Sequence, residues 1–137
     1  MELNPYLSFQ GNCREAMNFY KSILGGEFEG GLKTFADGGK HMKCKQEDKD
    51  KVMHVNLKTD DFSLMASDTM GDEYPFVKGN NITLSLNIED SKAESIYDKL
   101  SENGHTIMPF AEAFWGGKFG MLVDPFGIQW MVSTPHK

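Results

Sequence analysis

PYLSFQGNCREAMNFYKSILGG, residues 5 to 26, encodes a strand, a turn and a helix in succession. Leu7 and Phe9 alternate with polar neighbours, which is the period of two that half-buried strands have. Asn12 and Glu15 have the spacing of a capping box and predict the start of a helix. The helix is predicted to carry an apolar stripe and to end at a pair of glycines: Ala16, Phe19, Tyr20, Ile23 and Leu24, then Gly25 and Gly26.

The same order of signals returns in ITLSLNIEDSKAESIYDKLSENGHTI, residues 82 to 107. The alternating strand residues are Ile82, Leu84, Leu86 and Ile88, and the capping pair is Ser91 and Glu94. The apolar stripe of the helix is Ala93, Ile96, Tyr97 and Leu100, and Gly104 is predicted to end it. A shift of 77 residues superposes Leu7 on Leu84 and Tyr20 on Tyr97. The strand, the helix cap, the apolar stripe and the terminal glycine follow one another in the same order in both halves. We therefore interpret the chain as an internal duplication.

Each predicted helix is followed by strand-like segments, so both halves have the order βαβββ. In the first half the segments are 27–35, 52–59 and 62–67, with a turn at Asp60 and Asp61. In the second half they are 105–110, 118–123 and 128–133, with a turn over 124–127. We therefore predict an α+β fold in one domain, residues 1–137, with module 1 over about 4–67 and module 2 over about 82–133. Residues 67–81 are predicted to connect the modules, and the charged residues 36–51 to form a solvated loop.

The composition limits the classes of partner. The chain has 137 residues and 39% hydrophobic residues, enough to bury a core, and its formal net charge of −6 disfavours nucleic acid and anionic membrane surfaces. Neither a signal peptide nor a membrane anchor is evident, so we expect a cytoplasmic protein. Cys13 and Cys44 lack the spacing of a zinc site, and we expect both to be reduced thiols.

Strand alternation separates two faces in each module. The apolar rows, predicted to pack under the helices, are Leu7 and Phe9; Met53, Val55 and Leu57; Leu84, Leu86 and Ile88; and Ile128, Trp130 and Val132. The opposite rows are polar but rarely charged: Tyr6, Ser8, His54, Asn56, Thr83, Ser85, Asn87, Gln129 and Met131. A fully solvated face would carry Lys and Glu, so this composition favours a sheltered surface that binds a ligand. A dimer interface or a small buried polar core would share the same composition.

These segments resemble a known family. The paired βαβββ modules and the turn DPFG before IQWMV, residues 124–132, are similar to those of the glyoxalase, bleomycin-resistance and extradiol-dioxygenase superfamily, also called vicinal oxygen chelate proteins. More narrowly, YLSFQGNCREAMNFYKSILGG, VMHVNL, LMASD, LSLNIED and FWGGKFGMLVDPFGIQWMV resemble the PhnB-like branch, and the resemblance covers nearly the whole chain. It implies curved mixed sheets around a cavity, and a homodimer that would also cover open sheet edges.

Members of this superfamily usually bind a divalent metal through His or Glu on the first strand of each module and a carboxylate on the last. The matching positions here fall at Asn4 or Tyr6, at Thr83 and at Met131, and FSLMAS, residues 62–67, has no ligand-type side chain. Since divalent cations prefer imidazole nitrogen or carboxylate oxygen, we expect no metal and no other cofactor. A divalent metal on unusual ligands, such as His54 with a residue of a partner chain, stays open as an alternative.

The candidate ligand-binding residues are the polar rows with three additions: Tyr6, Ser8, His54, Asn56, Met65, Thr83, Ser85, Asn87, Trp115, Phe119, Gln129 and Met131. His54 is the candidate catalytic residue, as a general acid or base, unless it is simply a hydrogen-bonded structural residue. Trp115 lies beside two glycines and would close over a ligand or form a dimer contact. His41, His105 and His136 show no joint metal-binding spacing, and a cluster of Asp37, His41 and Cys44 is a weak alternative.

The sequence therefore predicts a cytoplasmic, homodimeric PhnB-like protein that binds a small organic molecule without a metal, whether or not it catalyses a reaction. The alternatives are a metal-dependent lyase, thiol transferase or dioxygenase with non-standard ligands, and a structural or interaction protein without a ligand. PhnB-like proteins often carry a 3-demethylubiquinone methyltransferase label. GGEFEGG, residues 25–31, lacks the spacing of a nucleotide-binding loop, so we expect no S-adenosylmethionine site.

Overall fold

The computed structural model describes residues 1–41, 44–70 and 75–135. The chain forms two compact units, unit 1 ending at Val77 and unit 2 beginning at Lys78. Residues 42–43 of the predicted loop, 71–74 of the predicted connector, and His136 lie outside the described residues, as does the side chain of His41. Among the described helices, none is long and apolar enough to cross a membrane.

Unit 1 is a mixed sheet with one helix against it. Its elements are β1 (Tyr6–Phe9), α1 (Cys13–Leu24), β2 (Glu27–Phe28), β3 (Lys33–Thr34), two 3₁₀ turns (Ala36–His41 and Gln46–Asp48), β4 (Val52–Lys58) and β5 (Ser63–Asp68). The strands lie in the order β1-β5-β4-β2, and β3 also pairs with β4. β1 and β5 run parallel, whereas the other pairs are antiparallel.

Unit 2 repeats this topology. Its elements are β6 (Leu84–Asn87), α2 (Asp90–Ser101), β7 (His105–Glu112), β8 (Lys118–Val123) and β9 (Gln129–Ser133). The order is β6-β9-β8-β7, with the first and last strands again parallel and the other pairs antiparallel. The α+β class and the repeated βαβββ pattern are thus confirmed.

The helices cover the faces predicted to be apolar. In unit 1, α1 packs against β4 and β5, and the buried residues are Cys13, Ala16, Met17 and Tyr20 of the helix with Phe9, Val55, Leu57, Leu64 and Ala66 of the sheet. In unit 2 they include Ala93, Tyr97 and Leu100 of α2 with Leu122, Trp130 and Val132. Fully burying a large apolar side chain contributes about 2 kcal/mol. Other members of the predicted rows and stripes are only half-buried: Leu7, Phe19, Ile23, Leu24, Met53, Leu84, Leu86, Ile88, Ile96 and Ile128.

Asp68 joins three parts of unit 1 through one carboxylate. Its Oδ1 accepts the main-chain N–H groups of Gly11 (2.8 Å) and Cys13 (3.0 Å), at the start of α1. Its Oδ2 accepts the N–H of Val52, the first residue of β4, at 2.9 Å. The residue is 4% exposed, so a low dielectric surrounds these bonds. The N-terminal end of a helix favours negative charge, and Asp68 supplies it from the last strand of the module.

The predicted capping boxes are wrong. Asn12 occupies the N-cap position of α1 but makes no capping hydrogen bond through its side chain; the N–H of Cys13, the first helical residue, bonds to Asp68 instead. In unit 2 the helix begins before Ser91, with Glu89 as N-cap and again no capping bond from its side chain. The predicted stop at Gly104 is also misplaced, since α2 ends at Ser101 and Asn103 adopts the left-handed conformation, φ 63°.

Two further predictions need correction in unit 1. The strand predicted over 27–35 is divided into β2 and β3, because Gly30 and Gly31 adopt left-handed conformations between them. The loop predicted over 36–51 is not wholly solvated: Asp48 is buried, and its carboxylate lies 2.7 Å from Lys51 Nζ. Burial of hydrogen-bonded groups therefore anchors this charged segment to the unit.

The DPFG turn is held by its own aspartate. Asp124 Oδ1 accepts the N–H groups of Phe126 (2.8 Å) and Ile128 (3.0 Å), which closes the turn between β8 and β9. Asp124 Oδ2 accepts the indole N–H of the buried Trp130 at 2.8 Å. The sharp turn and the apolar strand that follows it are therefore fixed by one buried carboxylate.

Cys13 is a packing residue. Burial, together with the Asp68 carboxylate, raises the pKa of its thiol to about 12. The thiol therefore stays protonated at neutral pH. Because the thiolate is the nucleophilic form of cysteine, Cys13 is not a candidate nucleophile. Both Cys13 and the half-buried Cys44 are free cysteines.

Replacing Asp68 by asparagine tests the role of this carboxylate. The amide nitrogen of the new side chain cannot accept a hydrogen bond, so at least one buried N–H loses its partner and the start of α1 loses its negative charge. We expect the free energy of unfolding, measured by urea denaturation, to fall by about 2 kcal/mol or more. Asp61→Asn, at the exposed β4–β5 turn, serves as the control and should change it by less than about 0.5 kcal/mol. Equal stability of both variants would contradict the assigned role.

Candidate functional site

The sheet of unit 1 has a polar face on the side away from α1. The name Tyr6 face is used for six of the side chains that strand register and alternation place on it: Tyr6, Ser8, His54, Asn56, Met65 and Ser67. Tyr6 and Asn56 both pair with Met65, and Ser8 pairs with Ser67. Ser67 was not among the predicted residues, although its alternation with the buried Ala66 could have identified it.

A tyrosine and a histidine interact at the centre of this face. Tyr6 Oη lies 3.0 Å from His54 Nδ1, and the two rings stack with centroids 5.7 Å apart and an interplanar angle of 29°. Since β5 lies between β1 and β4, the contact crosses the central strand of the three. When the imidazole proton is on Nε2, the phenol donates to Nδ1; when it is on Nδ1, this N–H donates to the phenol oxygen. The pair is accessible, because Tyr6 is 47% exposed.

The rest of the Tyr6 face offers different chemistry. Met65 provides a polarisable thioether, and Ser8 and Ser67 provide hydroxyl groups. Asn56 is half-buried, and its Oδ1 is buried without a hydrogen-bonding partner among the described residues. Two cationic residues adjoin these groups, because Lys33 on β3 pairs with His54 and Lys58 pairs with Ser63. The face is therefore suited to a ligand with both ring and polar groups.

Unit 2 has an equivalent face, here called the Met131 face. Register places Ser85, Asn87, Phe119, Met121, Val123, Gln129, Met131 and Ser133 on it, and Thr83 precedes β6. Gln129 is partly committed to structure, because its Nε2 donates to the carbonyl oxygen of Ile82 at 3.1 Å. The sequence prediction omitted Met121, Val123 and Ser133, which alternation along β8 and β9 would have included.

Trp115 belongs to an aromatic cluster of unit 2. It lies in the loop between β7 and β8, with ring centroids 5.0 Å from Phe114 and 5.7 Å from Phe119, both edge-on. Phe114 is 99% exposed and Trp115 37%. The cluster connects the loop to the Met131 face through Phe119.

The positions that would hold the superfamily's metal do not form a suitable donor set. Tyr6, Thr83 and Met131 present a phenol, an aliphatic hydroxyl and a thioether at these positions. Throughout the described ranges, no group of three His, Cys, Asp or Glu side chains is close enough together to hold a metal ion. Hard and borderline divalent cations prefer carboxylate and imidazole ligands, so these side chains do not fit such a cation.

The other predicted candidates have local or peripheral positions. Asp37 Oδ2 accepts the N–H of Thr34 at 2.8 Å and its hydroxyl at 3.1 Å, and these bonds lower the pKa of the Asp37 carboxyl. The proposed partner of Asp37, His41, has its side chain outside the described residues. His105 is exposed at the start of β7.

Unit 1 also contains an open groove that the sequence did not predict. Its volume is about 360 Å³, and its lining consists of Glu2, Leu3, Asn4 and Pro5 with residues 58–63 at the β4–β5 turn. Most of the lining is polar or charged and belongs to a turn and to the segment before β1. Such surroundings are less selective for an organic ligand than the mixed aromatic and amide groups of the Tyr6 face.

Comparison with known proteins identifies relatives over the whole chain. The model of a family described as 3-demethylubiquinone-9 3-methyltransferase matches residues 1–133. Protein YjdN of Escherichia coli is 32% identical, over 98% of this chain and 95% of its own length. The crystal structure of PA1353 from Pseudomonas aeruginosa is 38% identical with a TM-score of 0.89, covering 100% of this chain and 99% of that one.

Two further structures connect the fold to the predicted family. A putative 3-demethylubiquinone-9 3-methyltransferase, PhnB protein, from Bacillus cereus has a TM-score of 0.76 at 23% identity, covering 98% of this chain and all of that one. A glyoxalase/bleomycin resistance protein/dioxygenase family enzyme from Burkholderia phytofirmans has a TM-score of 0.64 at 8% identity, covering 96% and 95%. The predicted PhnB-like resemblance and the superfamily fold are confirmed.

Tyr6→Phe tests the central contact. Without the phenolic hydroxyl, Nδ1 of His54 loses its hydrogen-bonding partner, so the ratio of the two neutral imidazole tautomers should change. Long-range proton–nitrogen correlation spectra in alkaline buffer measure the tautomer ratio directly. We expect the free energy of unfolding to change by less than about 1 kcal/mol, because the hydroxyl is exposed. An unchanged tautomer ratio would show that the hydrogen bond is not populated in solution.

Proposed function

We propose, from the premise that this chain belongs to the 3-demethylubiquinone-9 3-methyltransferase family, that it is a PhnB-like binding protein for a small organic molecule. It works without the metal centre that is usual in the glyoxalase superfamily. The Tyr6–His54 pair carries this proposal, since Tyr6 Oη and His54 Nδ1 lie 3.0 Å apart on a partly exposed polar face. The proposed ligand contacts are the residues of the Tyr6 face. The Met131 face with Trp115 is proposed separately, as a ligand-binding surface of unit 2.

The chemistry of the Tyr6 face supports an organic ligand rather than an ion. Stacked rings attract aromatic and apolar groups, while hydroxyl, imidazole and amide groups orient polar ones. Lys33 pairs with His54 and Lys58 with Ser63, so an anionic group on an organic ligand would also have a cationic partner nearby. The relative that is a glyoxalase/bleomycin resistance protein/dioxygenase family enzyme is consistent with small-molecule chemistry on this fold.

His54 is the proposed catalytic residue if the bound molecule reacts. When Tyr6 donates to Nδ1, the Nε2 atom carries the proton and can donate it to a ligand oxygen or nitrogen. The same N–H can also anchor a ligand carboxylate without any reaction. The proposal therefore gives His54 a contact with the ligand in both cases.

Methyl transfer, which the family description names, finds no fitting cofactor site at the described turn between β1 and α1. Nucleotide-type cofactors bind where a glycine-rich turn presents free N–H groups at the start of a helix. Here the turn between β1 and α1 contains Gly11, and its N–H and that of Cys13 already donate to Asp68. A second anion at this helix end would be repelled by the buried carboxylate.

A homodimer in the cytoplasm is part of the proposal. β7 is an edge strand on which Ile107 and Met108 are 46% and 47% exposed, and open apolar edges favour pairing with a second copy. The net charge of −6 disfavours binding to nucleic acid and to anionic lipid surfaces.

Metal content distinguishes the proposal from a metal-dependent lyase, thiol transferase or dioxygenase. We expect protein purified without chelators to contain less than stoichiometric metal by plasma mass spectrometry. Nickel, zinc and manganese should leave its melting temperature unchanged, because a ligand stabilises only the protein that binds it. A stoichiometric metal whose removal lowers the melting temperature would contradict the metal-free site.

His54→Ala tests whether the Tyr6 face binds ligands. Ring-containing fragments that bind the wild-type protein by ligand-observed NMR should bind this variant more weakly, since it lacks both the ring surface and the Nε2 donor. The free energy of unfolding should fall by less than about 1 kcal/mol, because His54 is only half-buried. Asn18→Ala, on the exposed surface of α1, is the control. Unchanged fragment binding, or a loss of several kcal/mol in stability, would make His54 a structural residue.

A further inference from the structure

Lys33 brings a positive charge beside the aromatic pair of the Tyr6 face. It lies on β3 as the register partner of His54 on β4. Residues directly opposite each other in an antiparallel pair have side chains on the same face, with Cβ atoms about 5 Å apart. Lys33 is exposed, and so is Tyr6, which stacks on the imidazole ring of His54. A molecule that lies against the two rings is therefore within reach of the ammonium group.

Two glycines bring Lys33 to this position. The register of β2 on β4, continued without interruption, would place Gly31 opposite His54. Gly30 and Gly31 adopt left-handed conformations, with φ 73° and 77°, between β2 and β3. The register shifts by two residues across them, so Lys33 lies opposite His54 instead. The charge beside the rings thus depends on an irregularity that residues other than glycine rarely adopt.

The charge of Lys33 is not neutralised by the surrounding unit. Among the described residues, no carboxylate lies within ion-pairing distance of its ammonium group. Asp37 interacts with this charge, but its carboxylate accepts two hydrogen bonds from Thr34, which are the main cause of its lowered pKa. Lys58, further along β4, differs because its Nζ lies 4.0 Å from Glu29 Oε2. The available ammonium group is therefore the one beside the aromatic pair.

We infer that the Tyr6 face binds a flat aromatic ring that carries one anionic group, of which an aromatic carboxylate is the simplest kind. The ring lies against Tyr6 and His54, and the anionic group lies towards β3 with Lys33 as its counter-ion. The chain has a net charge of −6, so its long-range field does not attract anions and the preference depends on this local contact. The inference rests on the proposed function, because it names the ligand class for the same face.

Benzoate and benzamide provide the test, because they have nearly the same shape and differ in charge. Each is titrated into the isotope-labelled full chain, and chemical shifts of residues on β1, β4 and β5 report binding. We expect benzoate to bind about fivefold more tightly than benzamide, as a well-placed ion pair at a surface allows. In Lys33→Gln the ratio of affinities should fall to about one, because the counter-ion is gone. Lys45→Gln, at an exposed position elsewhere in unit 1, should keep the wild-type ratio.

Two further variants separate this contact from a general attraction between anions and lysines. Lys33→Arg keeps the charge and should keep the preference, and Lys58→Gln should keep it because Lys58 already has Glu29 as a partner. Since Lys33 and Lys58 are exposed, all these variants should melt at the temperature of the wild type.

The inference and the proposed function fail in different ways. Equal affinities of the two probes for the wild type, or a preference that survives in Lys33→Gln, overturn the inference but leave the proposed function intact. A preference that Lys58→Gln or Lys33→Arg removes as completely as Lys33→Gln does so too, because the charge of Lys33 is then not its cause. Binding of neither probe to β1, β4 or β5 overturns both.

Discussion

The buried Asp68 carboxylate is the constraint on which unit 1 depends. It accepts hydrogen bonds from the start of α1 and from the start of β4, while it is itself the last residue of β5. The helix and both strands are thereby fixed in one register. That register places Tyr6 on β1 opposite Met65 and within reach of His54 on β4. The geometry of the polar face thus follows from a bond on the opposite, helix-covered face.

Much of the fold could be predicted because it depends on local patterns. The alternation of Leu7 and Phe9 and the helical spacing of Ala16 and Tyr20 recur in the second half, and both halves have the same topology. The helix caps could not be predicted in the same way. Asn12 has the local signal of a cap, but the capping oxygen comes from Asp68, distant in sequence. Sequence spacing carries no information on such tertiary hydrogen bonds.

The candidate site was predictable in composition but not in its contacts. Strand parity alone places Tyr6, His54 and Asn56 on one type of face. The Tyr6–His54 bond depends on β5 lying between their strands, and the unpaired oxygen of Asn56 depends on its packing. Neither property follows from the order of residues. The most specific chemistry therefore comes from the structure, and it concerns groups that cost stability or contribute little to it.

Mapping where small molecules bind tests the account most directly. The isotope-labelled wild-type chain is titrated with a library of neutral ring fragments, and shift changes are assigned to residues. We predict that the tightest binders change the signals of Tyr6, His54 and Asn56 and their neighbours on β1, β4 and β5. Binding confined to the groove at residues 2–5 and 58–63, or no binding at all, would contradict it.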